Sequence, residues 1–437
     1  MDRRQFLIGL GVAGVAGAIT LSGCSGSDDA DTKDDTGGGE GPVEGGAGGE
    51  VGVFTWWAEG SEKEGLKALE DLFAEDFPND EFVNLAVAGG AGSSAKAKLE
   101  ADLQNGNPPD SFQGHAGAEL IDYIDAEQIL PVNDVIDELG GAEVFPENLL
   151  ELISLDGDIY SVPSNVHRAN VVWANPKVLK DADAADVPAD LDAWIADMKK
   201  IKDSGVDTPI TIGGTWTQVQ LLETILISTL GVDDYNALFE AGGDWGSAGV
   251  KEAVAKYAEI LEYANTASDG DDWPEATDAV IDGKAAYNVM GDWAVAQFES
   301  KDQVDGEDYT YFPVPGNEGV FDFLADSFTL PDGAPNPEGA KDWLRLVGSA
   351  EGQEAFNLAK GSIPARIDVA EDEFPAYQQS AMASFKEDQI ASSIAHGAAV
   401  SMAWLSDIST AVSKFYSGRD EDGLVSDLVK AAESHSA

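Results

Sequence analysis

Beyond residue 50 the apolar positions switch between two periods. Val51 and Val53 alternate with polar or small residues and predict a short strand, after which Leu66, Leu69, Phe73 and Phe77 recur at helical spacing. Phe82 to Val87 reads as a second strand. Ser93 or Ser94 then stands where a cap belongs, ahead of a helix carrying Leu99 and Leu103. Pro108 and Pro109 stop that helix, and Asp110 to Gln113 read as a third strand. Strand and helix in regular alternation predict an open, mostly parallel α/β sheet.

The pattern continues with a helix over residues 118–128 and a strand, turn and strand over 157–175. Leu191, Trp194, Ile195, Met198 and Ile201 mark an amphipathic helix. Further helices are predicted over 218–230 and 250–264, and strands over 285–290, 309–314 and 321–330. No internal repeat is evident. This predicts two α/β lobes with chain crossings and a cleft between them. Residues 50–162 with 294–332 are expected to form one lobe, and 163–293 with 333–437 the other.

The amino terminus departs from this pattern. MDRRQFLIGLGVAGVAGAITLSGC pairs Arg3 and Arg4 with an apolar stretch rich in Gly and Ala, too short and small-sided for a good membrane span. The RRQFL run resembles a twin-arginine export signal. Leu21-Ser22-Gly23-Cys24 resembles a lipoprotein processing box, so residues 1–24 are expected to be a signal, with Cys24 the lipidated residue. Cys24 is the single cysteine, which excludes a disulfide within the chain. Residues 25–49, almost all Gly, Asp, Glu, Ser and Thr, read as a flexible tether. The expected location is the outer face of the cell membrane, lipid-anchored after export.

Charge changes the picture further. There are 81 Asp and Glu against 25 Lys and Arg, a formal net charge of -56, which excludes a nucleic-acid footprint. Such charge usually signals disorder, but 43% hydrophobic residues, 10 Trp and 17 Phe demand a packed fold. The carboxylates must then cover a folded surface and repel one another in dilute buffer, a repulsion that molar salt screens over about 3 Å. This composition resembles the surfaces of proteins from extreme halophiles, and the expected source is salt-loving.

Most catalytic and cofactor chemistries find no support. Gly90-Ala91-Gly92-Ser93-Ser94-Ala95 fits a loose dinucleotide pattern, but reads better as a Gly-rich turn bringing backbone amides to a polar ligand. The histidines, His115, His167, His396 and His435, have no metal-ligand spacing, and the acidic run at 269–272 lacks the order of a calcium loop. No cofactor or metal is expected. What remains is a set of aromatic and polar residues at predicted strand ends: Trp56-Trp57, Gln113-Gly114-His115, Asn165-Val166-His167-Arg168, Gly291-Asp292-Trp293 and His396. Loops after strand ends converge on the ligand crevice of an α/β sheet. Flat rings suit the C–H faces of a pyranose, and carboxylates, amides and imidazoles suit its hydroxyls. Neither Trp56 nor Trp57 is expected in the core.

Several stretches, in order, carry a family resemblance: FTWWAEG, VAGGAGSSAKA, NPPDSFQGHAGAELI, YSVPSNVHRANVVW, GKAAYNVMGDWA, DWLRLVGSAEGQEAFN, KGSIPAR and SSIAHGA. From about residue 51 to about 420 the chain resembles the extracellular solute-binding proteins of sugar ABC transporters, in the maltose-binding-protein class and nearest the glucose/mannose-type binders. The resemblance implies a class II periplasmic-binding-protein fold, a monomer whose two lobes close on a monosaccharide and deliver it to permease subunits without chemistry. It implies Trp56 and Trp57 as an aromatic platform, Glu62 as a hydroxyl acceptor with Glu64 competing for that place, and Gln113 and His115 as hydroxyl partners. It implies Asp292 and Trp293 from the other lobe, with Lys360 and His396 completing a ring of donors. His167 and Arg168 are ligand-binding or hinge residues, and Phe239 stands where a second-lobe Trp is expected. Alternatives are a same-fold binder of a disaccharide or polyol, or a surface-anchored glycoside hydrolase with Glu62 and Asp292 as its carboxylate pair.

Overall fold

A computed structural model describes residues 46–88, 93–267 and 272–435. The leader, Cys24 and the tether up to residue 45 lie outside the described residues, as do residues 89–92 of the Gly-rich turn and 269–271 of the acidic run.

Two sheets organise the chain. The larger has seven strands, with Gly49–Phe54 parallel to both Asp80–Asn84 and Ser111–His115. Its spine is the long strand Val320–Pro331, in which all twelve residues are buried. A strand covered on both faces needs a nearly continuous apolar run, and VFDFLADSFTLP supplies one broken chiefly by two aspartates. This strand runs antiparallel to Ser111–His115 and Ser161–Arg168 and parallel to Gln389–Ser392. The larger sheet is therefore mixed rather than mostly parallel, because the long strand enters it on return from the second lobe. The second sheet has four strands, Thr310–Pro313, Val171–Ala174, Tyr287–Met290 and Ile210–Thr211 in spatial order.

The chain crosses between the sheets at residues 169–170 and 314–319, and it leaves the larger sheet again through residues 393–401. These crossings are tied together. Ala169 donates its N–H to the Asp322 carbonyl at 2.8 Å, Val314 to that of Asn170 at 2.9 Å, and Ser393 to that of Phe323 at 2.9 Å. The Asn170 side chain adds bonds to Asn317 and to the Val320 carbonyl.

The lobe boundaries differ from the expectation. Strand Ser161–Arg168 belongs to the larger sheet, and Thr310–Pro313 to the smaller. Helices Pro337–Gly348 and Ala350–Lys360, expected in the second lobe, pack on the first. Periodicity marks a face as buried but does not say which sheet buries it. At Gly65, a Cβ would fall 2.9 Å from the Phe356 ring, so glycine there lets helix Ala350–Lys360 lie close on helix Gly60–Asp76. That approach carries Lys360 to the floor of the cleft.

Candidate functional site

Between the lobes lies a cleft lined by Trp56, Glu62, His115, His167, Trp216, Trp273, Trp293, Leu324, Asp326, Lys360 and His396. Its open space is about 20 Å³, roughly room for one water. Anything as large as a six-membered ring therefore fits only when the lobes part. Bonds already span them, among them that from the Ser61 hydroxyl to the Trp293 carbonyl at 3.2 Å. A pocket of about 400 Å³ opens elsewhere, between Pro146, Ile363, Met382 and Phe385. None of its lining residues carries a buried polar atom without a partner, whereas the cleft has several.

The floor of the cleft is a buried ionic network centred on Asp326, from the long strand. It accepts from Lys360 Nζ at 2.9 Å, Gln113 Nε2 at 2.8 Å and Asn165 Nδ2 at 3.0 Å. His115 Nε2 and His167 Nε2 stand 3.5 and 3.3 Å from its oxygens. Burial alone would raise this carboxyl, but Lys360 and His167 outweigh it and hold Asp326 well below the usual carboxylate range. Lys360 also lies 3.6 Å from Glu62 and 4.4 Å from the centre of the Trp57 ring. Glu62 has the opposite balance: desolvation exceeds the pull of Lys360 and raises its carboxyl to about 7. At neutral pH it can therefore either give or take a hydrogen bond.

His115 is braced from behind. Its Nδ1 meets Glu119 at 2.8 Å, and Lys96 bonds the same carboxylate at 2.7 Å. Burial raises the Glu119 carboxyl, but Lys96 first and His115 after it outweigh that and lower it to about 2. The Lys96 ammonium also lies 5.4 Å from the centre of the Trp56 ring. His167 bonds Asp292 through Nδ1; burial disfavours its charge, yet Asp292 raises its basicity on balance.

Seven of the twelve expected ligand-cleft residues line the space: Trp56, Glu62, His115, His167, Trp293, Lys360 and His396. The others do not. Trp57 is wholly buried in the first-lobe core against Phe328 and Phe356, since successive side chains past a strand end turn to opposite faces. Gln113 is buried beneath the floor, bonded to Thr55 and Asp326. Asp292 is spent on His167 and the Arg168 backbone N–H, so it cannot flank a bond opposite Glu62. Arg168 turns to the crossings, bonding the Val320 carbonyl and Ser384. Phe239 packs on Tyr235, Trp245 and Trp404 in the second lobe. Glu64, the competitor of Glu62, is exposed.

Four lining residues were not expected: Trp216, Trp273, Leu324 and Asp326. Trp216 fills the place assigned to Phe239, and its signal was Gly213-Gly214-Thr215-Trp216, an aromatic at a glycine-led helix start. Asp326 was visible as a carboxylate inside a run too apolar to tolerate one without partners.

His396 sits on the crossing 393–401, which touches both lobes. Ala118 and Glu119 donate their N–H groups to the carbonyls of Ala398 and Gly397. Gly397 has φ +70°, and a Cβ there would lie 2.9 Å from Glu119 Oε2, so only glycine seats this turn against the first lobe. The imidazole stands 5.5 Å from the Trp293 ring, 5.7 Å from Trp216 and 5.8 Å from His115. Burial and the neighbouring cations hold it well below its ordinary range, so it is neutral. Its Nε2 and the Trp293 Nε1 are buried without a hydrogen-bond partner. Among the described residues no cluster of three or more His, Cys, Asp or Glu could hold a metal ion, and no helix is long and apolar enough to cross a membrane.

Comparison with known proteins agrees with this arrangement. An ABC transporter extracellular-binding protein of Pyrococcus horikoshii is 33% identical over 99% of this chain and 96% of its own length. The xylose/arabinose-binding protein XacG of Haloferax volcanii is 29% identical over 87% of this chain and 84% of its own. The solved structure of the bacterial solute receptor AcbH superposes with a TM-score of 0.76 at 18% identity, over 88% of this chain and 97% of that one. The family model for bacterial extracellular solute-binding proteins matches residues 59–354, and the chain belongs to that family.

Proposed function

We propose that the chain is the receptor of a sugar ABC importer and that it encloses one monosaccharide, of glucose or mannose type, between its lobes for delivery to permease subunits. As a member of a solute-binding family it is a receptor and not an enzyme. The observation that carries the sugar reading is the pair of orphaned polar atoms, Trp293 Nε1 and His396 Nε2, set among Trp56, Trp216 and Trp273. A hydroxyl group gives one proton and accepts another, so a polyol meets both needs at once. Leaving them unmet costs about 1–3 kcal/mol each. Indole faces cover the apolar side of a pyranose ring. The sugar named for XacG, its relative at 29% identity, supports the same class.

Closure is read as a population shift, with the sugar touching both lobes and stabilising the shut form. The leader and Cys24 are read as placing this receptor, as a monomer, on the outer membrane face by a lipid anchor.

The test is a tryptophan-fluorescence titration of the folded protein in molar salt with glucose, mannose, galactose, xylose and maltose. The expected result is a saturable change with a monosaccharide, the sugar being recovered unaltered. A response to maltose alone would replace the monosaccharide by a disaccharide, and no response to any would remove the sugar assignment.

A further inference from the structure

Behind His396 lies a second buried network, away from the ligand space. Glu223, from helix Thr215–Leu230 of the second lobe, and Asp322, from the long strand of the first, are both fully buried. Glu223 accepts the Ile394 and Ala395 N–H groups on Oε2, at 2.6 and 2.8 Å, and the Ser393 hydroxyl on Oε1 at 2.9 Å. Asp322 has no hydrogen-bond donor on either oxygen. Of two adjoining carboxyls, the one with three donors carries the charge, and the one with none keeps the proton and gives it to its neighbour. Burial and the proximity of Glu223 accordingly push Asp322 well above the ordinary range, while Arg168 only moderates this. Burial also raises Glu223, to about 7, so above that pH the pair holds one proton, on Asp322.

The Ser393 hydroxyl has one proton, and Glu223 takes it. Its oxygen also faces the His396 backbone N at 3.3 Å and the His396 Nδ1 at 2.8 Å. Both of those contacts must then be donated to it. The opposite arrangement, with Ser393 donating to Nδ1, would need a second proton on the pair, at Glu223 Oε1, and that proton is lost above about pH 7.

We propose that Glu223, acting through Ser393, is a positioning residue that holds His396 as its Nδ1–H tautomer and so presents Nε2 to the cleft as an acceptor. The ligand must then bring a donating hydroxyl to that point, and an ether or deoxy position there is rejected. His396 is thus assigned the opposite role to the donor that the family resemblance implied. This inference rests on the reading of the cleft as a sugar site.

The experiment is side-chain ¹⁵N NMR of the histidines at pH 8, where Glu223 is ionised, in the ligand-free, full-length protein, wild type and Ser393→Ala. Wild type is expected to show neutral His396 protonated at Nδ1 alone. Ser393→Ala, which removes only a hydroxyl, is expected to show Nε2–H in a substantial fraction and a tenfold or larger loss of affinity for whichever monosaccharide binds. An Nε2–H signal from wild type, or an unchanged tautomer in Ser393→Ala, overturns the proposal. The wild-type spectrum decides the matter even if the variant fails to fold. Because that spectrum needs no ligand, the two readings fail separately. Sugar binding with Nε2–H in wild type leaves the function and removes this inference. The Nδ1–H tautomer with no sugar bound leaves the tautomer assignment and removes the function.

Discussion

The ammonium of Lys360 lies 4.4 Å from the centre of the Trp57 ring and 2.9 Å from Asp326, so a buried indole and a buried carboxylate share one cation. Trp57 thus reaches the cleft only through Lys360, while its neighbour Trp56 borders the space directly. Two adjacent tryptophans divide into a support and a wall.

That division separates two substitutions. Trp57→Ala opens a cavity in the first-lobe core and is expected to lower stability by about 3–5 kcal/mol. Trp56→Ala is expected to cost roughly half as much and to weaken sugar binding tenfold or more. Thermal unfolding alongside the fluorescence titration checks both, and equal stability losses would contradict the assignment.

Removing one member of the ionic floor exposes the other. Asp326→Asn leaves Lys360 buried without its closest counter-charge, and a stability loss of about 3–5 kcal/mol is expected. Lys360→Met together with Asp326→Asn is expected to recover part of that loss while leaving ligand binding poor. A double-mutant cycle by chemical denaturation measures the coupling.

Two glutamates predict opposite pH dependences. Glu62 is raised from 4.5 to about 7, so its favourable contribution is fully present below pH 4.5 and is lost as pH rises through 7. Glu119 is lowered from 4.5 to about 2, so its contribution is present above pH 4.5 and is lost as pH falls through 2. At about 1.4 kcal/mol per pH unit each amounts to roughly 3 kcal/mol. Glu62→Gln is expected to stabilise the protein at pH 8 and change little at pH 4. Glu119→Gln is expected to destabilise it at pH 7, with the difference shrinking toward pH 2. Unfolding free energies across pH for the three proteins test the signs.

Ser61 is one of the groups that join the lobes before any ligand contributes. Ser61→Ala removes its bond to the Trp293 carbonyl, worth about 0.5–1.5 kcal/mol. The closed form is expected to lose population, with affinity falling about two- to tenfold and the radius of gyration rising in small-angle scattering. An unchanged affinity would assign closure to other contacts.

With 81 acidic and 25 basic residues, even complete pairing leaves 56 carboxylates without a counter-charge. Melting temperature is therefore expected to climb as potassium chloride rises from 0.1 M toward molar concentrations, as screening shortens from about 10 to about 3 Å. A flat or falling profile would mean that surface ion pairs, which salt weakens, dominate instead.

The sequence by itself determined the alternation of elements, the two-lobe class and most of the aromatic and imidazole lining. Helix Leu191–Asp203 and strands Tyr287–Met290 and Thr310–Pro313 are local consequences of spacing, because an apolar face must be buried at the period of its own backbone. Trp56, His115, Trp293 and His396 were legible because polar and aromatic residues at strand ends and turns have few structural uses. Only the tertiary structure decided which tryptophan of the pair faces the ligand, since that turns on the direction of one side chain past a strand end. It also decided that Trp216 and not Phe239 supplies the second-lobe ring, and that Asp326 is the centre of the floor. In a chain where carboxylates are everywhere, Asp326 and Glu223 are distinguished by what surrounds them. Those surroundings come from Lys360, His167, Asp322 and Ser393, brought together from distant parts of the sequence by the crossings between the lobes.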